Sequence, residues 1–466
     1  MIRVSQLYLN KVGPFISEKF DFSVEEGHPD IHIFTGQNGS GKTTMLHSIA
    51  SSFDFFENDH KENTSNLLYK RFHKFNDDQK TMPESYVHCI LRQSRKSKVV
   101  DKISIYGCKH CGNIHQNYEK TVNNSDAISR NGKNYQQKPH SGELLKYKNA
   151  IVAKTLENKS FEFAAFGYSS YRLIRSSHIS IDNNDLVNPL HLALEFVKDK
   201  NTGFLVSNWM VSRYSKSAIE RMKGNDKLAD KYMLGVKCLQ NAIAELTNDQ
   251  IKFEIETNPW QVLLMFNGKQ IEFDVLPDGL RSLLSWLGDL LMRLDSIPWK
   301  NDSIAVNEQN IILLLDEIEV HLHPKWQYHI LPITKKLFPK AQIFLSTHSP
   351  FVINSIDNAK IHILEPFKGN SRLKEVKLSN TGDSYSSIYE NILETTQTFG
   401  KEAMDKLNEF KKIEKEIIKQ NFDNEDRFAN LIDELKDEGE EVMDIVHSHI
   451  HRVNRISGKN YLEWKK

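Results

Sequence analysis

Gly36, Gly41, Lys42 and Thr43 fall at the spacing G-x-x-x-x-G-K-[ST] inside "TGQNGSGKTT", residues 35–44. The chemistry of that spacing is phosphate binding: glycines let backbone N–H groups converge on a β-phosphate, a lysine reaches the β and γ oxygens, and a threonine hydroxyl suits Mg2+. The set expected to bind a nucleotide is Asn38, Gly39, Ser40, Gly41, Lys42, Thr43 and Thr44. Two more groups lie far along the chain, Asp316 and Glu317 in "IILLLDE" and Ser346, Thr347 and His348 in "AQIFLSTHSPFV". Asp316 suits Mg2+ and Glu317 suits polarising an attacking water, while His348 can sense or stabilise a γ-phosphate.

Each group needs an element to position it. "IHIFT" before the loop has the β-branched and aromatic residues of a buried strand, and "TMLHSIASSF" after it reads as the helix whose N-terminus faces the phosphates. The apolar runs before Asp316 and Ser346 read as fully buried strands that deliver these residues to the C-terminal edge of an open α/β sheet.

The 466 residues exceed one ordinary core and predict two or three subdomains. Sixty-one Lys and Arg balance 61 Asp and Glu, which excludes coating of nucleic acid by charge alone. No apolar stretch approaches a membrane span and "MIRVSQLYLN" lacks a signal-peptide core, so the expectation is a cytoplasmic protein without a membrane partner. Four cysteines are too few for a disulfide framework of this size.

Strand patterns fill residues 2–34 and 84–106, and the polar stretch up to 145 reads as a surface insertion. Helical spacing runs from about 186 to 246, and strands resume at "IKFEIE" and "WQVLLMFNGKQIEFDV", with Asn267-Gly268 as a hairpin turn. The predicted organisation has an N-terminal part of an ATPase head at 1–180, with a polar insertion at 107–145. A helical insertion at 181–250, the C-terminal part of the head at 251–375 and a helical region at 376–466 follow.

"GQNGSGKTT", "LLLDEIEVHLHPKWQ" and "FLSTHSPFVI" resemble the Walker A, Walker B and switch-histidine segments of ABC-type ATPase heads in the SMC/Rad50/OLD group. The resemblance covers roughly residues 1–60 and 250–365. A short head without a long coiled coil is similar to the ATPase subunits of bacterial anti-phage systems, the Septu system first and the PARIS system second. The resemblance implies an α/β fold with a mixed central sheet, flanking helices and an antiparallel β-layer. It also implies slow ATP hydrolysis with Mg2+, a homodimer or higher homo-oligomer closed head to head, and a small partner nuclease, of the HNH type if Septu-like. It leaves room for nucleic acid in the complex.

In such dimers a signature loop closes over the partner's ATP. "VLPDGLRSLLSWLGDLL" (275–291) sits where that loop should be, and the resemblance assigns Pro277, Asp278 and Gly279 to it, acting in trans. The family usually has serine where this chain has Pro277, and proline offers neither a hydroxyl nor an N–H. Tyr168 to Arg172 lie near the group's Q-loop, but no glutamine there marks it, and the resemblance places His321 and His323 at the dimer seam. "YGCKHCGNIH" supplies Cys108, Cys111 and His115, which read either as half a zinc knuckle or as a plain hairpin of reduced thiols.

The reading is an ATP-dependent dimerising switch that licenses a separate nuclease. A self-contained OLD-type nuclease would need an acidic catalytic domain after His348, where "KLNEFKKIEKEIIKQ" and "DELKDEGEEVMDIVHSHI" are instead amphipathic. A non-hydrolysing scaffold, favoured by Pro277, and a DNA-repair head stand as alternatives.

Overall fold

The structure is a computed structural model that describes residues 2–53, 86–95, 98–107, 116–121, 143–151, 153, 155–156, 159–170, 188–194, 196, 202–258, 260–393, 399–418, 424–457 and 461. The chain divides into two compact units, Met1–Ile388 and Tyr389–Lys466.

In the first unit a mixed sheet contains, among the described residues, eleven strands in the order β6-β5-β4-β1-β2-β14-β13-β3-β12-β11-β7. Its parallel half comprises β13 (Lys360–Phe367), β3 (Ile31–Gly36), β12 (Gln342–Ser346), β11 (Ile311–Leu315) and β7 (Ala164–Tyr168). Every residue of β11 and β12 is buried, which is why β11 is apolar throughout and β12 is apolar between Gln342 and Ser346, rather than alternating. Parallel pairing of β3, β12 and β11 brings the ends of all three to one edge, with Phe34 opposite Ser346 and Leu345 opposite Leu315.

The antiparallel half comprises β1 (Ile2–Val12), β2 (Phe15–Asp21), β4 (Tyr86–Arg95), β5 (Lys98–Gly107), β6 (Gln116–Thr121) and β14 (Asn370–Leu378). It joins the parallel half through the antiparallel pairing of β14 with β13, and β14 meets β2 at Ser371 and Phe15, so the expected β-layer is continuous with the parallel strands. A separate sheet orders β10 (Lys269–Ile271), β9 (Trp260–Phe266) and β8 (Ile251–Thr257). Asn267 (φ +49°) and Gly268 (φ +76°) make the turn, and both have the positive φ that a two-residue hairpin demands.

The helices of this unit begin with α1 (Lys42–Ala50) and α2 (Glu143–Ile151). They continue with α3 (Thr202–Met222), α4 (Asp226–Thr247), α5 (Asp278–Ser296), α6 (Pro324–Leu337) and the single turn α7 (Pro350–Ile353). The leucines Leu280, Leu283, Leu284, Leu287 and Leu291 of α5 are buried, as are Ser285, Asp289 and Arg293 on its other faces. It is thus enclosed on more than one stripe, and its buried charged groups are paired. Arg293 Nε meets Asp289 at 2.7 Å, and the Tyr168 hydroxyl donates to Asp289 at 2.8 Å.

In the second unit α9 (Lys401–Ile418), α10 (Glu425–Lys436) and α11 (Glu440–Ser457) share a core of Leu407, Phe410, Phe428, Leu431, Val446 and Ile450, among others. Before them, α8 (Tyr385–Asn391) spans the division between the units. Phe410 and Phe428 stack with centroids 4.7 Å apart, and the Glu409 carboxylate pairs with both Nε and Nη2 of Arg427 at 2.8 Å. Among the described residues, no helix of the chain is long and apolar enough to cross a membrane.

Candidate functional site

The phosphate loop leaves β3 at Gly36 and re-enters helix at Lys42. Gly36 has φ +142°, and a Cβ there would lie 2.0 Å from the Leu364 carbonyl oxygen. Gly41 has φ +97°, and its Cβ would lie 2.6 Å from the Phe15 ring. Only glycine fits at either point. Between them Asn38 and Gly39 are exposed, and the Ser40 N–H donates to the Gln37 carbonyl at 3.1 Å. The Ser40 Oγ is buried without a hydrogen-bond partner, and Thr44 is buried on α1. Lys42 folds back over the loop and donates from Nζ to the carbonyls of Gly36 at 2.9 Å and Gln37 at 3.1 Å. Burial lowers the pKa of this ammonium, while Glu317, Asp316 and Glu319 act the other way.

Four residues from three elements converge beside the loop. The Thr43 hydroxyl donates to Asp316 Oδ1 at 3.1 Å, and the Ser346 hydroxyl donates to the same oxygen at 2.6 Å. Ser346 Oγ also accepts the Glu317 N–H at 2.8 Å, and the Asp316 N–H donates to the Tyr168 carbonyl at 2.9 Å. Glu317 has φ +47°, a left-handed conformation that costs a non-glycine residue on the order of 1–3 kcal/mol. Such strain at a strand end needs surrounding bonds to hold it, and the Ser346 contact is one of them. The paired oxygens of Thr43 and Asp316 are the hard donors that Mg2+ prefers, so the residues present fit that ion.

Beside this group the His348 N–H donates to Glu319 Oε1 at 2.7 Å. The His348 Nε2 and the Glu319 Oε2 are both buried without a hydrogen-bond partner. Burial, reinforced by the Lys42 charge and opposed by Asp316, holds the imidazole below its ordinary pKa. Burial pushes the Glu319 carboxyl above the usual range. Hydrogen bonds from the His348 and Glu319 backbones and the Thr347 side chain oppose that shift, and repulsion from Glu317 adds to it.

Pro277, Asp278 and Gly279 lie outside this hydrogen-bonded group, at the start of α5. Pro277 is the N-cap residue and, like Asp278, is exposed; Asp278 pairs with Arg281 at 3.2 Å. Gly279 is turned inward, where a Cβ would lie 2.7 Å from the His321 carbonyl oxygen and 3.2 Å from the Trp326 ring. His323 caps α6, its Nδ1 accepting the Lys325 N–H at 3.3 Å. Cys108, Cys111 and His115 fall outside the described residues. Among those described, no group of three or more His, Cys, Asp or Glu is arranged to hold a metal ion.

Sequence reasoning missed Glu319. It stands in the quoted "LLLDEIEVHLHPKWQ", where an acidic residue two positions after Glu317 was the available signal. It also left Ser346 as a strand end without a role, and the hydroxyl's two partners become visible only when β11 and β12 are side by side.

The chain matches two family profiles. One, described as "AAA domain, putative AbiEii toxin, Type IV TA system", covers residues 145–354 and so spans Pro277, Asp316 and His348. The other, described as "AAA domain", covers residues 2–70 and includes the phosphate loop. The chain is 23% identical to a Septu protein PtuA of Bacillus thuringiensis, over 88% of this chain and 89% of that one. It is 25% identical to the Retron Vc95 probable ATPase of Vibrio cholerae serotype O1 biovar El Tor, over 85% and 84%. With the Retron Ec83 probable ATPase of Escherichia coli it shares 27% identity over 47% of this chain and 39% of that one. An SMC head solved with the C-winged helix domain of ScpA aligns with 80% of this chain and 98% of that one, at 10% identity and a TM-score of 0.47. The similarity to PtuA and to retron ATPases agrees with the resemblance read from the sequence.

Proposed function

We propose that this chain binds and slowly hydrolyses ATP, dimerises head to head, and controls a partner nuclease in anti-phage defence. The observation that carries the ATPase reading is the junction of Thr43, Asp316, Ser346 and Glu317 beside a glycine loop with Lys42 laid over it. ATP binding would draw the Lys42 ammonium from the loop carbonyls onto the β and γ oxygens. Thr43 and Asp316 would hold Mg2+, which when bound neutralises phosphate charge. Glu317 takes a proton from the attacking water, and His348 faces the γ-phosphate with Nε2. Phosphate release by the purified chain, abolished in Lys42→Ala together with ATP binding, tests this reading.

The assembly around the ATPase is argued from similarity. The match to a protein named PtuA spans most of both chains, and the Septu resemblance implies a small nuclease subunit of the HNH type, with nucleic acid admitted in the complex. The region 376–466, which opens with the last three residues of β14 and carries α8 to α11 beyond them, is the proposed docking region: the core shared by α9, α10 and α11 is closed on itself, and their outer faces carry charge. Exposed Pro277 and Asp278 are proposed to meet the partner copy's ATP, with inward-turned Gly279 shaping the loop. A cytoplasmic location follows from the same reading. Zinc at Cys108, Cys111 and His115 is decided by elemental analysis, since the metal should be lost in Cys111→Ser.

A further inference from the structure

β12 lies between β3 and β11, so whatever fixes the end of β12 sets the distance between the phosphate loop and the acidic pair. Three side chains tie that end down around His348. Ser346, before it, reaches Asp316 and the Glu317 N–H. Ser349, after it, donates from Oγ to Gln327 Oε1 on α6 at 2.6 Å, and Gln327 Nε2 donates to the Leu322 carbonyl at 2.8 Å. Glu319 accepts the N–H of His348 itself at 2.7 Å. The ties run both ways, Ser346 from β12 to the segment after β11 and Glu319 from that segment back to β12. His348 Nε2 makes no hydrogen bond although it is buried, a condition costly enough to require an explanation. With its backbone N–H held and its buried Nε2 unpaired, near enough to Lys42 and Asp316 to feel both charges, the imidazole is set to receive an oxygen ligand that arrives with the nucleotide.

We propose that Glu319 is a positioning residue for ATP hydrolysis: its Oε1, by holding the His348 N–H, anchors the backbone that carries the imidazole to the segment that carries Glu317, so that the γ-phosphate contact and the water-polarising carboxylate are set as one unit. This rests on the ATPase reading. In this role Glu319 acts through the His348 backbone, and its part is to keep two reacting groups in register. A misplacement of about 1 Å at reacting groups can cost about 10²-fold in rate.

The test measures kcat, KM and the affinity for a non-hydrolysable ATP analogue in wild type, Glu319→Ala and Glu319→Gln, with thermal unfolding to verify the fold. Glu319→Ala should lower kcat by about 10²-fold while leaving analogue affinity close to wild type. Glu319→Gln keeps a carbonyl oxygen for the His348 N–H and should recover most of that loss. If Glu319→Ala does not unfold cooperatively, Glu319→Met, equally long but without the acceptor, takes its place. Wild-type kcat in the alanine variant, or a glutamine variant as impaired as alanine, overturns the positioning role while the ATPase reading stands. Absence of hydrolysis by wild type overturns both.

Discussion

Thr43 and Asp316, 273 positions apart in the chain, meet at 3.1 Å, the threonine hydroxyl donating to the carboxylate. The contact joins the first turn of α1 to the end of β11 and sets two candidate Mg2+ donors side by side. Because β11 and β3 are separated by β12, the link crosses the strand that carries Ser346, and the Ser346 hydroxyl shares the same carboxylate oxygen.

Binding and hydrolysis should separate at Lys42 and Glu317. Lys42→Ala removes the cation that reaches the phosphates and should abolish nucleotide binding. Glu317→Gln removes only water activation, so it should keep ATP bound, trap a closed dimer and lower kcat by about 10²–10⁴-fold. Equilibrium binding and phosphate release measure the two effects; equal ATP affinity in Lys42→Ala and wild type contradicts the assignment.

Composite sites should complement in mixed dimers. Gly279 is unsuitable for this test because any side chain there meets the His321 carbonyl of its own chain, whereas Asp278 is exposed. Mixing Lys42→Ala with Asp278→Arg chains leaves each heterodimer with one site carrying both defects and one intact site. Hydrolysis should partly recover. Verified heterodimers with no recovery would point to a site complete within one chain.

Stability should fall on the acid side because of two buried histidines. His32 and His362 lie on adjacent β3 and β13, with ring nitrogens 3.3 Å apart among Phe20, Phe22, Phe34 and Phe344. Burial lowers the pKa of both rings. Asp30 and Asp21 oppose the shift at His32 while Lys360 adds to it, and His32 and Lys360 add to it at His362. A folded pKa below the unfolded value of about 6.5 means the unfolded state binds more protons, so stability is complete above that pH and lost as pH falls through it. Each ring adds up to about 1.4 kcal/mol per pH unit to the slope. Denaturant titrations between pH 7.5 and 5 should show a shallower slope in His362→Phe, whatever its absolute stability; an unchanged slope assigns the acid loss elsewhere.

Truncation after Ile388 should leave a chain that still binds ATP, because the first compact unit ends there and contains every residue of the candidate site. It should lose the partner nuclease. Co-purification of a neighbouring-gene nuclease with full-length and truncated chains measures this. Retention of the nuclease by the shorter chain would move the docking surface to the first unit, and metal-dependent nuclease activity from the single chain would overturn the division of labour.

The local motifs were legible in the sequence because their physics is local. A glycine loop between a buried strand and a helix, five apolar residues before Asp316, and Asn267-Gly268 between two strand patterns each act over a few neighbouring residues. Glu319 was not legible, because an acidic side chain in a turn reads as solvated until the partner backbone N–H of His348, 29 positions away, is placed beside it.

By itself the sequence determined the candidate residues, Lys42 and Thr43 of the glycine loop, the Asp316–Glu317 pair and His348, since side-chain chemistry and strand burial travel with the residues. Tertiary structure alone decided that β12 lies between β3 and β11, and therefore that Ser346 reaches Asp316 and Glu317 while Glu319 reaches His348. Parallel strands are joined by long crossovers, so their order and register leave no local trace along the chain. The inward turn of Gly279 and the left-handed backbone of Glu317 have the same origin, in neighbours that only the folded sheet supplies.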